Sequence, residues 1–154
     1  MNFIAPIVSI VIAQLAGIVG SLFTVNSVRT WFQTIIKPSW NPPSWVFGPV
    51  WIILYTLMGI SAYLVFKQKD VKDVKLALSV YGVHLLLNAL WSVLFFGLKN
   101  PGFAFFEIII LLVFIVITMV LFWRINTLAG VLLLPYLVWV SFATFLNYTI
   151  WQLN

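Results

Sequence analysis

Five long apolar runs constrain the fold of this 154-residue chain more than any other feature. Each run is close to the ~20 residues that an α-helix needs to cross ~30 Å of hydrocarbon. They cover residues 5–25, 44–66, 74–97, 102–123 and 128–150. The runs are continuous, whereas the strands of a membrane barrel alternate apolar and polar residues. We therefore predict an all-α membrane protein, a single five-transmembrane-helix bundle over residues 1–154 whose consecutive helices are antiparallel neighbours.

The composition agrees with a membrane environment. Hydrophobic residues make up 64% of the chain and charged residues only 7%, which is too little polar surface to cover a water-soluble globule. Eight Lys and Arg residues against three acids give a net charge of +5. We interpret the basic residues as determinants of membrane topology and as contacts to lipid headgroups, rather than as a nucleic-acid binding surface. The chain has no cysteine, so it has neither a disulfide framework nor a thiolate nucleophile.

The long connection between the first two helices, residues 26–43, is rich in proline and tryptophan. Proline fixes φ, removes an amide donor and pushes the preceding residue out of the helical region, so no helix can continue through this segment. We expect a stiff lid loop, after which Ser44 caps the second helix. The residues that define the lid are Trp31, Pro38, Trp40, Pro42 and Pro43.

Basic residues predict the orientation in the membrane. Five Lys and Arg residues lie on the side of the N-terminus and three on the side of the lid loop. This difference favours an N-terminus inside and a lid loop outside. No Lys or Arg precedes the first apolar run, so we interpret it as a retained helix and not a cleaved signal peptide.

Aromatic and polar side chains recur at helical spacing inside the runs, which places them on one face of each helix. Counted from the lid side at ~1.5 Å per residue, Trp51, Trp91, Glu107 and Ala143 lie ~7–11 Å deep. His84 and Trp139 lie near the midplane, and aromatic residues at that level are too deep for a headgroup belt. Ligand sites are mainly apolar and aromatic with a few placed polar groups. We therefore predict a pocket for a flat, hydrophobic, polycyclic ligand beneath the lid. Its predicted wall residues are Phe47, Trp51, Tyr55, His84, Asn88, Trp91, Phe103, Trp139, Ala143 and Gly20.

Several of these residues have a simpler interpretation. The aromatic stripes could be helix packing, and Asn88 could be an interhelical hydrogen-bonding group. His84 could be a neutral core imidazole rather than an axial haem ligand. Glu107 could pair with Lys99 or with the backbone instead of transferring a proton or binding a ligand. No paired carboxylates, phosphate loop or metal-ligand cluster occurs, so we predict no metal and no conventional catalytic set.

Three segments resemble the translocator protein family, also known as TspO, the peripheral-type benzodiazepine receptor or tryptophan-rich sensory protein. They are WFQTIIKPSWNPPSWVFGPVWIILYTLMG at 31–59, LLLNALWSVLFFG at 85–97 and PYLVWVSFATFLNY at 135–148. The resemblance covers almost the whole chain. It implies a five-helix bundle, often a homodimer, that binds protoporphyrin IX, haem and other tetrapyrroles as ligands, with no obligatory cofactor. In animal members it also implies cholesterol and isoquinoline-carboxamide or benzodiazepine drugs.

The resemblance also assigns roles to individual residues. It implies that Trp51 and Trp139 contact the ligand, with Ala143 on the wall of the last helix. It also implies that these two tryptophans support a light- and oxygen-dependent degradation of protoporphyrin, as an alternative to a receptor or sensor role. Transport of tetrapyrroles is a third alternative. The family's sterol-associated pattern needs a basic residue after the tyrosine, and none follows Tyr148, which argues against cholesterol. The absence of a basic tail and of a targeting segment favours a bacterial plasma-membrane protein.

Overall fold

The computed structural model describes residues 3–154 of the chain, and they form helices joined by short links and one long loop. Five segments are long and apolar enough to cross a membrane, and the last of these consists of two consecutive helices, α6 and α7. This confirms the predicted all-α bundle of five spans. The helices are α1 Ile4–Arg29, α2 Trp31–Thr34, α3 Ser44–Phe66, α4 Val74–Ser92 with a π-helical continuation Val93–Gly97, α5 Pro101–Ile125, α6 Thr127–Leu132 and α7 Leu134–Leu153.

The first helix is longer than predicted. It ends at Arg29 rather than at residue 25, so the first four residues of the predicted lid loop are helical. Residues 26–29 include neither proline nor glycine, and the buried Ser27 donates a hydrogen bond of 2.6 Å to the carbonyl oxygen of Phe96. This contact holds the last turn of α1 against the π-helical segment, although the apolar run has already ended.

The second and last spans differ from the prediction at single residues. Helix α3 begins at Ser44, but Pro43 occupies the N-cap position and no side chain caps the helix. The predicted cap at Ser44 is therefore wrong. The last span is interrupted at Leu133, whose N–H donates to the carbonyl oxygen of Gly130 at 3.1 Å. Pro135 follows in the first turn of α7, where a missing N–H is tolerated, and the span restarts there.

Each helix packs between two others in a closed ring. Helix α1 contacts α3 and α4, α5 contacts α4 and α7, and α6 contacts α3. At the end away from the lid, α1 and α3 are in close contact, because a Cβ atom on Gly59 would meet the backbone of Ile10. Nearer the lid, α1 lies against α4 instead, and a Cβ atom on Gly20 would be 2.9 Å from the hydroxyl of Ser92. The third span therefore supports the lid half of α1.

The lid loop is ordered by contacts at three points. Lys37 Nζ donates to the carbonyl oxygens of Phe32 and Ile35 at 2.6 and 2.9 Å. The side chain of Asn154 accepts from the N–H of Ile36 and donates to its carbonyl oxygen, both at 2.9 Å. Trp40 stacks on Phe145 of α7, with ring centroids 5.3 Å apart. The predicted long structured loop between the first two spans is thus tied to the last span.

Candidate functional site

A cavity of about 510 Å³ lies in the lid half of the bundle, between α1, α3, α4 and α7. The cavity separates the lid halves of α1 and α3. It reaches the outer surface there, because Ile18, Val25 and Ile52 line the cavity and are each more than half exposed. Its lining comprises Gln14, Gly17, Ile18, Gly20, Ser21, Thr24, Val25, Val28, Arg29, Phe32, Ser44, Phe47, Gly48, Trp51, Ile52, Tyr55, Asn88, Trp91, Ser92, Phe96, Trp139 and Ala143.

Trp51 and Trp139 lie in two different walls of this cavity, one on α3 and one on α7. The Trp51 ring stacks on Tyr55 with centroids 5.4 Å apart and an interplanar angle of 28°. The Trp139 ring meets Phe47 edge-on at 5.9 Å. Neither indole N–H has a hydrogen-bond partner within residues 3–154. Both indoles are thus positioned by packing without a side-chain hydrogen bond, and both keep a free donor.

A hydrogen-bonded trio closes the inner end of the cavity. The Tyr55 hydroxyl donates to Asn88 Oδ1, and Asn88 Nδ2 donates to the Tyr136 hydroxyl at 2.9 Å. The trio joins α3, α4 and α7, so Asn88 does form interhelical hydrogen bonds while it also lines the cavity. Buried amides need such partners, because an unpaired buried polar group is costly.

Trp91 is fixed by a second set of contacts. Its ring stacks on Phe95 with centroids 5.0 Å apart, and its N–H donates to Asn147 Oδ1 at 3.0 Å. Asn147 Nδ2 in turn donates to the carbonyl oxygen of Pro101 at 2.7 Å. The orientation of the Trp91 side chain is therefore determined by three helices.

Helix α1 supplies small and polar residues to the remaining wall. Gly17 lies directly against the Tyr55 ring, where any Cβ atom would collide with it. Gln14 donates to the carbonyl oxygen of Ile52 at 3.0 Å and to the Thr56 hydroxyl at 3.1 Å. The amide of Gln14 thus bridges α1 and α3 below the opening between them.

Most of the predicted wall residues line the cavity. Phe47, Trp51, Tyr55, Asn88, Trp91, Trp139, Ala143 and Gly20 all lie in its wall. Two predicted residues, His84 and Phe103, do not. His84 is 1% exposed and lies one turn below Asn88, where its ring packs against Tyr81 and Tyr136. Phe103 is 63% exposed, because Gly102 and Ala104 supply the buried positions at that level of α5.

The lid loop reaches the cavity through Phe32, not through the predicted tryptophans and prolines. Trp31 packs edge-on against Phe95 at 5.7 Å. Trp40 packs against Phe142 and Phe145 of α7. Pro38, Pro42 and Pro43 shape the loop but are absent from the cavity wall. Phe32 is buried against Phe95 and Phe96, so the lid closes this end of the cavity with one phenylalanine.

Three titratable side chains outside the cavity, those of Tyr81, His84 and Glu107, have buried atoms without a hydrogen-bond partner among the described residues. Neither carboxylate oxygen of Glu107 has a hydrogen-bond partner among the described residues, so the suggested pairing with Lys99 or with the backbone is wrong. His84 Nε2 is also unpartnered there, while His84 Nδ1 lies 3.5 Å from the Thr118 hydroxyl. Over the described part of the chain, no three His, Cys, Asp or Glu side chains come close enough to hold a metal ion.

Gln14, Arg29 and Phe32 are among the wall residues that are not predicted from the sequence. Gln14 carries the single amide of the first apolar run, which is the signal that could have identified it. Arg29 and Phe32 fall in the predicted loop, and only the additional turn of α1 brings Arg29 into the row of residues that faces the cavity. Together the fold and the site define a polytopic helical membrane protein with an aromatic intramembrane cavity.

Comparison with known proteins gives the family. The sequence profile of the TspO/MBR family matches residues 9–152. The chain is 44% identical to "Tryptophan-rich protein TspO" of Chlorobaculum tepidum over 90% of its own length and 88% of the relative. It is 40% identical to "Tryptophan-rich protein TspO" of Archaeoglobus fulgidus over 100% and 99% of the two chains. It is also 38% identical to "Translocator protein" of Homo sapiens over 92% and 85%. The chain belongs to the TspO/MBR family and is an integral membrane protein.

Proposed function

We propose that this protein is a membrane receptor or sensor that binds tetrapyrroles, such as protoporphyrin IX and haem, and drug-like hydrophobic ligands in the cavity beneath the lid. The observation that carries this proposal is the presence of Trp51 and Trp139 in two walls of one cavity. Two cavity-lining indoles with free N–H donors suit a flat, conjugated ligand with polar edges.

The size of the cavity also supports the proposal. Its volume of about 510 Å³ falls within the range of about 300–1,000 Å³ that small-molecule sites occupy. The polar groups deep in the cavity, Asn88 and Tyr55, are mutually hydrogen-bonded, so an apolar ring system can lie against them without leaving a polar group unpaired. Names of relatives such as "Translocator protein" and "Tryptophan-rich sensory protein" agree with a sensor or translocator role.

The test is a titration of purified protein with protoporphyrin IX, followed by the shift of the porphyrin absorbance band, since removal of tryptophans would disturb a quenching signal. We expect Trp51→Phe combined with Trp139→Phe to weaken binding by about tenfold, because each aromatic pair contributes about 0.5–1.5 kcal/mol beyond its buried area. Trp45→Phe is the matched control, since Trp45 is 75% exposed and lies outside the cavity on the same helix as Trp51. Unchanged affinity in the double variant would count against this site.

A light- and oxygen-dependent degradation of protoporphyrin is the alternative, and the stacking of Trp51 on Tyr55 favours it. An indole held beside an excited porphyrin can donate an electron or trap singlet oxygen. Illumination of the complex in oxygen should then convert the porphyrin into a defined product, faster than free porphyrin is bleached. If the porphyrin is degraded at the same rate in the variant that lacks both tryptophans, the degradation is nonspecific bleaching.

The remaining predictions concern assembly and placement. We propose a bacterial plasma-membrane protein with the N-terminus inside and the lid outside, and a homodimer, with cholesterol not among its ligands. Cysteine accessibility in intact cells, at exposed Ser39 in the lid and exposed Lys69 between α3 and α4, tests the orientation. Transport of tetrapyrroles also stays a prediction, and proteoliposome uptake tests it.

A further inference from the structure

Arg29 is the charged residue in the cavity wall, and it lies at the end of the cavity nearest the lid. Within residues 3–154 its guanidinium makes no ion pair, hydrogen bond or ring contact. A guanidinium presents planar donors that match a carboxylate in a two-point arrangement. Arg29 is exposed, so its guanidinium is accessible to an anionic partner from outside the chain.

No acidic side chain supplies such a partner. Its three acids are Asp70, Asp73 and Glu107. Asp70 and Asp73 lie in the connection between α3 and α4, at the opposite end of the bundle from Arg29. Glu107 is buried in α5 and does not line the cavity.

The other two basic residues on the lid side are placed differently. Lys37 donates to two carbonyl oxygens of the lid and lies over the Phe32 ring, 5.0 Å from its centroid. Lys99 lies in a separate depression beside Trp151. Among residues 3–154, Arg29 is thus the cation that lines the cavity and that a molecule in it can reach.

The long dimension of the cavity fits a ligand with one charged end. Gln14 and Arg29 both line it and are 15 residues apart on α1, a separation of about 22 Å at 1.5 Å per residue. Between them α1 presents glycines, small hydroxyl residues, valines and one isoleucine. A flat ring system can lie along this stretch while an acidic substituent stays at the lid end.

We propose that Arg29 binds a carboxylate at the edge of the ligand, so that this cavity selects flat hydrophobic acids over their neutral esters. This inference rests on the proposed ligand-binding function of the same cavity. It sets the orientation of a tetrapyrrole, with its acidic substituents at Arg29 and its apolar edge toward Tyr55 and Asn88.

The experiment compares protoporphyrin IX with its dimethyl ester, in nanodiscs of zwitterionic and of anionic lipid. We expect wild type to bind the diacid about tenfold more tightly than the diester, since a hydrogen bond to a charged group is the stronger kind. Arg29→Gln should lower diacid affinity to the diester level and leave the diester unchanged. Arg29→Lys should retain part of the preference. Lys99→Gln, the same charge change on the same side of the membrane, should leave the preference intact.

The same proteins are then titrated with a second flat acid, 1-pyrenebutyric acid, and its methyl ester. Arg29-dependent preference for this acid supports the inference for flat hydrophobic acids in general. Equal affinity for acid and ester in wild type, or a preference that survives in Arg29→Gln, overturns it while ligand binding itself stands. An Arg29-dependent preference in zwitterionic lipid supports it even if anionic lipid abolishes the preference, because anionic headgroups repel the diacid from the membrane as a whole. If no probe binds in either lipid, both the proposed function and this inference fail.

Discussion

The hydroxyl of Tyr55 on α3 donates a hydrogen bond to the side-chain oxygen of Asn88 on α4. The side-chain nitrogen of Asn88 donates a hydrogen bond to the Tyr136 hydroxyl of α7. Three of the five spans are therefore joined at one amide. Because all three side chains are buried, the amide both holds the helices in register and forms the inner end of the cavity.

Replacement of Asn88 by alanine should destabilise the protein. The change leaves the hydroxyls of Tyr55 and Tyr136 buried without their partner, and we expect a loss of about 1–2 kcal/mol in the free energy of unfolding. Thermal unfolding in detergent without ligand measures it. Asn26→Ala is the control, since Asn26 is exposed and its side chain makes no hydrogen bond. An equal Tm for the two variants would contradict this role of Asn88.

Alanine at Gly59 should also lower Tm. The new methyl group would meet the backbone of Ile10, which cannot move aside as a flexible side chain can, so we expect a destabilisation of about 1–3 kcal/mol. Gly82→Ala provides the comparison on α4, because no atom lies within 4 Å of its Cβ position. That variant should unfold at the wild-type temperature or above, since alanine favours the helix. A Gly59→Ala protein as stable as Gly82→Ala would show that α1 and α3 are not in close contact there.

Leucine at Ala143 should reduce ligand binding without harm to the fold. The larger side chain extends into the cavity from α7, where it takes up space that a ligand needs. We expect the affinity for protoporphyrin IX to fall about tenfold or more, and Tm to stay equal or rise, as cavity filling commonly stabilises. Ser141→Leu adds similar volume on the exposed side of the same helix and should bind normally. Normal binding by the Ala143 variant would place the ligand elsewhere.

Loss of the Asn154 side chain should loosen the lid. Asn154→Ala removes both hydrogen bonds to Ile36, each contributing about 0.5–1.5 kcal/mol, so amide exchange in the lid should accelerate about tenfold. Hydrogen–deuterium exchange of peptides covering residues 31–43 measures this rate. Gln152→Ala, at an exposed residue whose side chain makes no hydrogen bond, should leave the rate unchanged. Equal exchange in both variants would mean that Trp40 and Lys37 hold the lid on their own.

The spans and most of the cavity wall could be predicted from the sequence, because both depend on local patterns. Continuous apolar runs determine the helices, and residues three or four apart share a face. Trp51 and Trp139 could therefore be placed on inward faces of their helices without knowledge of the packing. The end of α3 at Phe66 was predictable for the same reason.

The position of His84 could not be predicted in this way. Its spacing from Asn88 puts both residues on one face of α4, but the Tyr55–Asn88–Tyr136 trio closes the cavity one turn above it. That closure depends on hydroxyls from two other helices, which no periodicity within α4 reveals. The same holds for Phe103, because α5 packs against α4 and α7 and supplies no residue to the cavity wall.

Arg29 shows a different limit. Apolar sequence ends before it, so hydropathy assigns it to the loop, yet the hydrogen bond from Ser27 to Phe96 extends the helix through it. A tertiary contact thus determines where the helix ends. A tertiary contact also accompanies the π-helical continuation of α4. This segment places Phe95 and Phe96 together in the core beside Phe32.

The opening of the cavity between α1 and α3 affects how any affinity should be expressed. Ile18, Val25 and Ile52 border it, so the reservoir in contact with the cavity is the hydrocarbon phase rather than the buffer. A hydrophobic ligand partitions into that phase first, and the occupancy of the cavity follows the mole fraction of the ligand among the acyl chains. Dilution with empty vesicles should therefore lower occupancy even at constant total ligand and protein.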